Sequence, residues 1–241
     1  MLLLRAGNPS EWTGPTGNNT WLFAGPPSVL IDAGVGDDAH IASIAAALQG
    51  APLDIVLVTH GHIDHVSGVP MLKTRWPQIE IRGGTGRALV DGELISAGPS
   101  ILEALHTPGH APDHFCFLDR EMGDVYCGDL ARSGGTVVIP AGRGGDLRAY
   151  LASLRRIRTL APKRLLPAHG PIVTEPKTLL DAYIVHRGIR TEQIRMALAD
   201  GQTTIDAIVA RLYPGLSDRL MDAARDTVRA HLEFMESERS R

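Results

Sequence analysis

Val58-Thr59-His60-Gly61-His62-Ile63-Asp64-His65 places three imidazoles and one carboxylate within six residues. The run before it, Asp54-Ile55-Val56-Leu57-Val58, is apolar and β-branched and reads as a buried strand. The run after it, Val66-Ser67-Gly68-Val69-Pro70-Met71-Leu72, reads as a turn into a short helix. The four polar side chains are therefore expected to leave the end of one rigid strand together, as a preorganised site requires. Neutral imidazole and carboxylate are donors that Zn²⁺ and related divalent ions accept. A lone histidine at a strand end is ordinarily a hydrogen-bonded structural residue. Four candidate ligands at this spacing are hard to explain as packing.

Working outward, the same arrangement recurs. Trp21 to Ala24 and Val29 to Asp32 read as a hairpin closed by Gly25-Pro26-Pro27-Ser28. Asp37 or Asp38 can cap a helix through Ile41, Ile44, Ala45 and Leu48, which Gly50-Ala51-Pro52 stops. Ile79-Glu80-Ile81 is a short strand. Arg82-Gly83-Gly84-Thr85-Gly86 lacks the spacing and lysine of a phosphate loop and reads as a turn. A strand over 101–105 runs into His106-Thr107-Pro108-Gly109-His110. Strands around Cys116 and Cys127 follow, the second ending at Gly128-Asp129. Asp146 can cap a helix with Leu147, Tyr150, Leu151, Leu154 and Ile157 on one face. Arg164 to Ala168 is a strand running into His169-Gly170-Pro171. His60, His62, Asp64, His65, His110, Asp129 and His169 thus all lie at or just past strand ends, where ligands gather in layered α/β folds.

Composition narrows the function classes. At 241 residues and 44% hydrophobic content, the chain can bury one sizeable core with a small appendage. Net charge is −3, so no global field pulls it toward nucleic acid or a membrane surface. Aromatic content of 5% disfavours extended base-stacking platforms. No stretch reaches the roughly 18 apolar residues of a membrane span, and Met1-Leu2-Leu3-Leu4 is too short for a secretion signal. Cys116 and Cys127 sit in apolar strand-like runs and are expected to be buried, reduced thiols of a cytoplasmic protein.

From about Pro176 the strand-end histidines cease and helix formers dominate. One long helix is expected from Lys177 to Asp200. A second, capped by Thr203 or Thr204, runs through Leu212, and a third, capped by Ser217, through Leu232. The expected division is 1–175 for the metal-binding unit and 176–241 for a helical unit. The segment from Lys177 to Arg241 holds ten Lys/Arg and ten Asp/Glu. That balance fits a lid, a pocket wall or a dimer contact better than a phosphate rail.

The ordered set T-H-G-H-I-D-H, H-T-P-G-H, C-G-D and P-A-H-G resembles the metallo-β-lactamase superfamily, over roughly positions 18 to 171. The resemblance implies an α/β fold, a four-layer αββα sandwich, with a metal centre at one edge. It places His60, His62 and His110 on one metal and Asp64, His65 and His169 on a second, with Asp129 bridging. Two such ions sit ~3.5–4 Å apart and generate a bridging hydroxide at neutral pH. Asp64 and Asp129 are the expected catalytic carboxylates, Asp64 serving as ligand and proton handler. Zn²⁺ is the default, and an oxygen-rich site also accepts Mn or Fe. His106 is read as structural or orienting. His114 either lines the substrate mouth or caps a strand. Arg132, Thr136 and Arg143, in the glycine-rich loop after Asp129, are candidates for holding a substrate carboxylate or phosphate, against the alternative of solvated side chains. Asn18-Asn19-Thr20 is expected to be a structural turn.

The C-terminal helices, with Tyr183-Ile184-Val185-His186-Arg187, are similar to the winged-helix-type appendage of the β-lactamase-like-2 family. That family includes single-strand endoribonucleases and polyketide-related thioesterases. The expected function is a dinuclear-metal hydrolase of a small ester or thioester substrate. The alternatives are a metal-dependent single-strand endoribonuclease and iron-dependent oxygen or persulfide chemistry on the same fold. No membrane partner is expected, and RNA or a second copy of the chain remain open as partners.

Overall fold

The computed structural model describes residues 1–239. Ten strands form two five-stranded sheets. The first has the order β1 (Leu2–Arg5), β2 (Asn19–Phe23), β3 (Val29–Ile31), β4 (Ile55–Leu57), β5 (Glu80–Arg82). The second comprises β6 (Leu94–Ala97), β7 (Ser100–His106), β8 (Phe115–Asp119), β9 (Asp124–Gly128) and β10 (Arg164–Pro167), hydrogen-bonded in that order. Among the described residues the α-helices are α1 (Asp38–Leu48), α2 (Ile63–Val66), α3 (Val69–Arg75), α4 (Leu147–Thr159), α5 (Pro176–Ala199), α6 (Ile205–Leu212) and α7 (Asp218–Arg239), with a short 3-10 helix at Ala141–Arg143.

Period-2 side-chain alternation builds the layers. Trp21 and Phe23 of β2, Ile55 and Leu57 of β4, and Phe117 and Tyr126 of β8 and β9 fill the space between the sheets. Tyr126 meets Trp21 and Phe23 edge-to-face, at centroid separations of 5.8 and 5.5 Å. Leu22, Leu30, Val56 and Val58 point the other way and pack under α1 and α3. Leu105, Cys116, Val125, Cys127 and Leu165 cover the opposite outer face, under α4 and the start of α5. The result is the expected helix–sheet–sheet–helix order. Both cysteines are buried free thiols.

Local signals place most boundaries. Asp37 caps α1 by accepting from His40 N–H, Asp146 caps α4 through Ala149 N–H, and Thr204 caps α6 through Ala207 N–H. Two edge strands, β1 and β6, are only four residues long and are seen through their pairing with β2 and β7. The expected turn after the His/Asp motif is two helices, and the first begins inside the motif. Asp64 and His65 therefore project from α2, not from the end of β4. Gly68 stands between α2 and α3, and only glycine fits there because a side chain would lie 2.1 Å from the Ala33 carbonyl oxygen.

The helix α5 is shared between two cores. Leu180 and Tyr183 belong to the core under β8 and β9, whereas Ile194 and Ala197 pack with Ile208, Val209, Ala224 and Val228 in a separate C-terminal cluster.

Candidate metal centre

His60 follows β4 and is fully buried. Its Nδ1 lies 3.1 Å from the Thr59 hydroxyl, and its Nε2 lies 2.9 Å from His62 Nδ1. His110, in the loop between β7 and β8, donates from Nδ1 to the Val138 carbonyl at 2.8 Å. That bond assigns its tautomer and leaves Nε2 as a lone pair, 2.9 Å from the same His62 nitrogen. Burial holds His60 well below the usual histidine range, and the charges of His65 and His110 add to the effect. Burial likewise brings His62 down to about 4 and lowers His110 against the opposing charge of Asp129. Three neutral imidazoles therefore converge on one point.

The second group pairs a carboxylate with two imidazoles. Asp64 Oδ2 lies 3.5 Å from His65 Nε2 and 3.4 Å from His169 Nε2. Burial opposes ionisation of Asp64, yet the His169 hydrogen bond and the His65 charge bring it down to about 2. Burial also opposes the charged form of His169, but the Asp129 carboxylate outweighs it and lifts the ring to about 9. His65 is raised in the same way, by Asp32 and Asp129 against burial. Asp129 is held well below the carboxylate range by His169 and His65 despite its burial. Its two oxygens face different ways: Oδ2 is 3.5 Å from His110 Nε2, and Oδ1 is 3.1 Å from His169 Nε2.

The donor sets suit divalent cations. Single donor atoms of His60, His62, His110 and Asp129 lie within 4.8 Å of one another, as do those of Asp64, His65 and His169. His65 Nε2 and Asp129 Oδ1 are buried and make no hydrogen bond. Buried polar atoms left in this way are costly unless another partner fills the gap. Two groups of convergent lone pairs and carboxylates supply such a place.

Three positioning residues escape a reading of local sequence. Asp32, buried at the end of β3, accepts from His65 Nδ1 at 2.8 Å and from Thr59 N–H at 2.8 Å. The Nδ1–H bond turns His65 Nε2 into the site. Asn18 donates from Nδ2 to Asp64 Oδ2 at 3.0 Å, so the expected structural turn also holds a site carboxylate. Asn19 donates to the carbonyls of Pro167 and Gly170, on either side of His169. His114 does not line a substrate mouth. It is fully buried, pairs with the Thr107 hydroxyl at 2.8 Å, and accepts from Asp129 N–H at 3.1 Å. Its bonds to the Thr107 hydroxyl and the Asp129 amide, both in the interior, account for that place.

Arg132 donates to the Trp12 carbonyl at 2.7 Å, which ties the N-terminal loop to the segment after Asp129. Thr136 and Arg143 are exposed, as in the solvated alternative. His106 Nε2 lies 2.9 Å from the Pro112 carbonyl, a structural contact away from both ligand groups.

Residues 13–85 and 77–169 match the family described as "Metallo-beta-lactamase superfamily", so the match spans well over half of the chain. The chain belongs to the metallo-β-lactamase superfamily. Residues 204–239 match the "Beta-lactamase associated winged helix domain". Among superfamily relatives, the chain is 34% identical to "Lactamase-like protein vrtG" of Penicillium aethiopicum over 205 residues. That match covers 81% of this chain and 65% of the relative, just under two thirds of its length. It is 32% identical to "Atrochrysone carboxyl ACP thioesterase" of Aspergillus fumigatus, over 91% of this chain and 79% of that protein. The fold matches a β-lactamase domain protein from Burkholderia ambifaria with a TM-score of 0.85 at 22% identity, over 98% of this chain and 85% of that one. The chain is an enzyme of this superfamily, and its two His/Asp clusters could hold metal ions.

Proposed function

We propose that this enzyme hydrolyses an ester or thioester bond in a small acyl substrate, using a pair of divalent cations. The observation that carries the reading is Asp129, whose two carboxylate oxygens face the two ligand groups separately. His60, His62 and His110 would hold one ion, Asp64, His65 and His169 the other, with Asp129 between them. Such ions, Zn²⁺ by donor preference, supply a water ionised near neutral pH and positive charge for a developing oxyanion.

The chain's own groups do the rest. Asp64, 24% exposed and oriented by Asn18, is the carboxylate placed to accept and return a proton. Asp32, His114 and Val138 hold the ligand side chains in place. Thiol catalysis has no part in this reading, because both cysteines are fully buried and burial pushes both thiols up, Cys116 to about 12. The catalytic unit of this reading is 1–175, with 176–241 as an appended wall. A cytoplasmic setting fits the two free thiols.

The acyl substrate class is supported by the thioesterase name of one relative. An RNA substrate fits less well. Arginines of the C-terminal helices are engaged by nearby carboxylates, Arg211 with Asp200 and Arg225 with Asp206 and Asp222. They are therefore less available to phosphates. The test is an assay of acyl thioesters and esters beside labelled single-stranded RNA, with and without chelator, together with metal analysis. Chelator-sensitive thioester turnover is the expected result. Chelator-insensitive turnover, or cleavage of RNA alone, defeats the proposal.

A further inference from the structure

Helix α5 carries a buried arginine with an unusual set of partners. Arg187 is 2% exposed, and its guanidinium donates to the Val137 carbonyl and lies 5.3 Å from the centroid of the Tyr150 ring. It forms no ion pair among the described residues, and its Nε makes no hydrogen bond. Burying a guanidinium on a backbone carbonyl and a ring face is costly, so the arrangement calls for a reason beyond packing.

One turn earlier on the same face is Tyr183. Its hydroxyl accepts from Arg132 N–H at 3.2 Å and lies 2.9 and 3.1 Å from the carbonyl oxygens of Arg132 and Gly135. Tyr150 and Cys127 hold the carbonyls of Leu130 and Ala131 at the start of the segment after Asp129, Tyr183 holds its middle, and Arg187 holds its far end at Val137. That segment starts at Asp129 and ends at Val138, whose carbonyl accepts from His110 Nδ1.

We infer that Arg187 is a positioning residue for the metal centre, acting through Val137 and Val138 on His110. The guanidinium fixes the Val137 carbonyl, and the next peptide then presents the Val138 carbonyl to the imidazole. That contact keeps the His110 proton on Nδ1 and aims Nε2 at His62 and Asp129. The C-terminal helices would then contribute to the site through α5, without touching substrate. This inference rests on the two-ion reading above.

The test compares wild-type enzyme with Arg187→Met by Zn²⁺ titration against a chromophoric chelator. The variant is expected to bind one of two ions about 10- to 100-fold more weakly, the loss known for partners of ligand histidines, and the other normally. In Co²⁺-loaded protein, the exchangeable, paramagnetically shifted N–H signal of His110 should broaden or vanish. Arg187→Lys, which can still reach one carbonyl, should recover most of the affinity. If Arg187→Met does not fold, Arg187→Gln, whose shorter chain falls short of Val137, is read in the same way.

Wild-type affinity at both sites in the folded variant, with the N–H signal intact, overturns the inference and leaves the metal reading standing. Equal weakening of both sites also overturns it, since that marks general loosening. Failure of the wild-type enzyme to bind two ions defeats the metal reading itself.

Discussion

Asp32 Oδ2 lies 2.8 Å from His65 Nδ1, and both side chains are buried. Asp32 adopts φ +62, a left-handed backbone that aspartate and asparagine tolerate better than most residues. Asp32→Asn keeps that backbone but replaces the carboxylate that orients the ring. It should cost about 10–100-fold in affinity for the ion beside His65. Asp32→Ala removes the acceptor altogether and should destabilise by about 1–3 kcal/mol for each buried donor left unpaired. Metal titration and denaturant unfolding separate the two effects. Unchanged metal affinity in Asp32→Asn would show that the pair is packing alone.

Gly109 stands immediately before His110 with φ +135, and a side chain there would lie 2.3 Å from the backbone of Tyr150. Gly109→Ala must move either α4 or the His110 loop. A loss of about 1–3 kcal/mol from overpacking is expected, together with reduced metal content. Circular dichroism melts and elemental analysis check it. A variant with the wild-type melt and metal load contradicts the close approach.

His114 supports the Asp129 backbone. His114→Ala leaves Asp129 N–H and the Thr107 hydroxyl without their partner, so a loss of about 1–3 kcal/mol is expected. A direct substrate contact would instead raise KM with stability intact. Unfolding curves beside steady-state kinetics distinguish these outcomes.

If the donor set holds metal as proposed, chelation should destabilise the fold as well as stop turnover, because such ions would bind the native donors and little of the unfolded chain. At a free metal concentration of 100 Kd the linkage is worth about 2.7 kcal/mol per site. Melting temperature should fall with chelator and return on adding Zn²⁺. An identical melt with and without chelator is the result that counts against a structural contribution from metal.

His231 on α7 is fully buried, with Nδ1 2.8 Å from the Thr191 hydroxyl and Nε2 unbonded. Burial, helped by Arg187 and Arg190, brings its pKa down to about 3 from 6.5. The folded state therefore binds fewer protons than the unfolded state between those values. The stability carried by neutral His231 is complete above about pH 6.5 and declines as pH falls toward 3. The slope is at most about 1.4 kcal/mol per pH unit. His231→Gln should flatten the fall of stability between pH 6 and 4.5 by up to that amount. An unchanged slope would mean that the ring is already accessible to protons in the folded state.

Much of the architecture was legible locally. Strands β2, β3, β4, β8 and β9 announce themselves by runs of apolar residues, and α1, α4 and α6 by caps at Asp37, Asp146 and Thr204. The ligand candidates were legible because their motifs are short and stand just past strand ends. Edge strands β1 and β6 were not, since a short half-exposed strand has little pattern of its own and exists through its neighbour. The start of α2 inside the His/Asp motif was also hidden, because glycine and histidine at that point carry no helix signal.

By itself, then, the sequence determined the kinds of donor atoms, their order along the chain and the alternation that sorts the layers. Those are local properties, set by side-chain chemistry and by the period of strand and helix. Tertiary structure decided which atoms meet: Asp32 with His65, Asn18 with Asp64, His114 with the Asp129 amide, and Arg187 with Val137. Each pair joins residues far apart in sequence, and a hydrogen bond between them depends on the register of whole sheets and helices, which no neighbouring residue encodes.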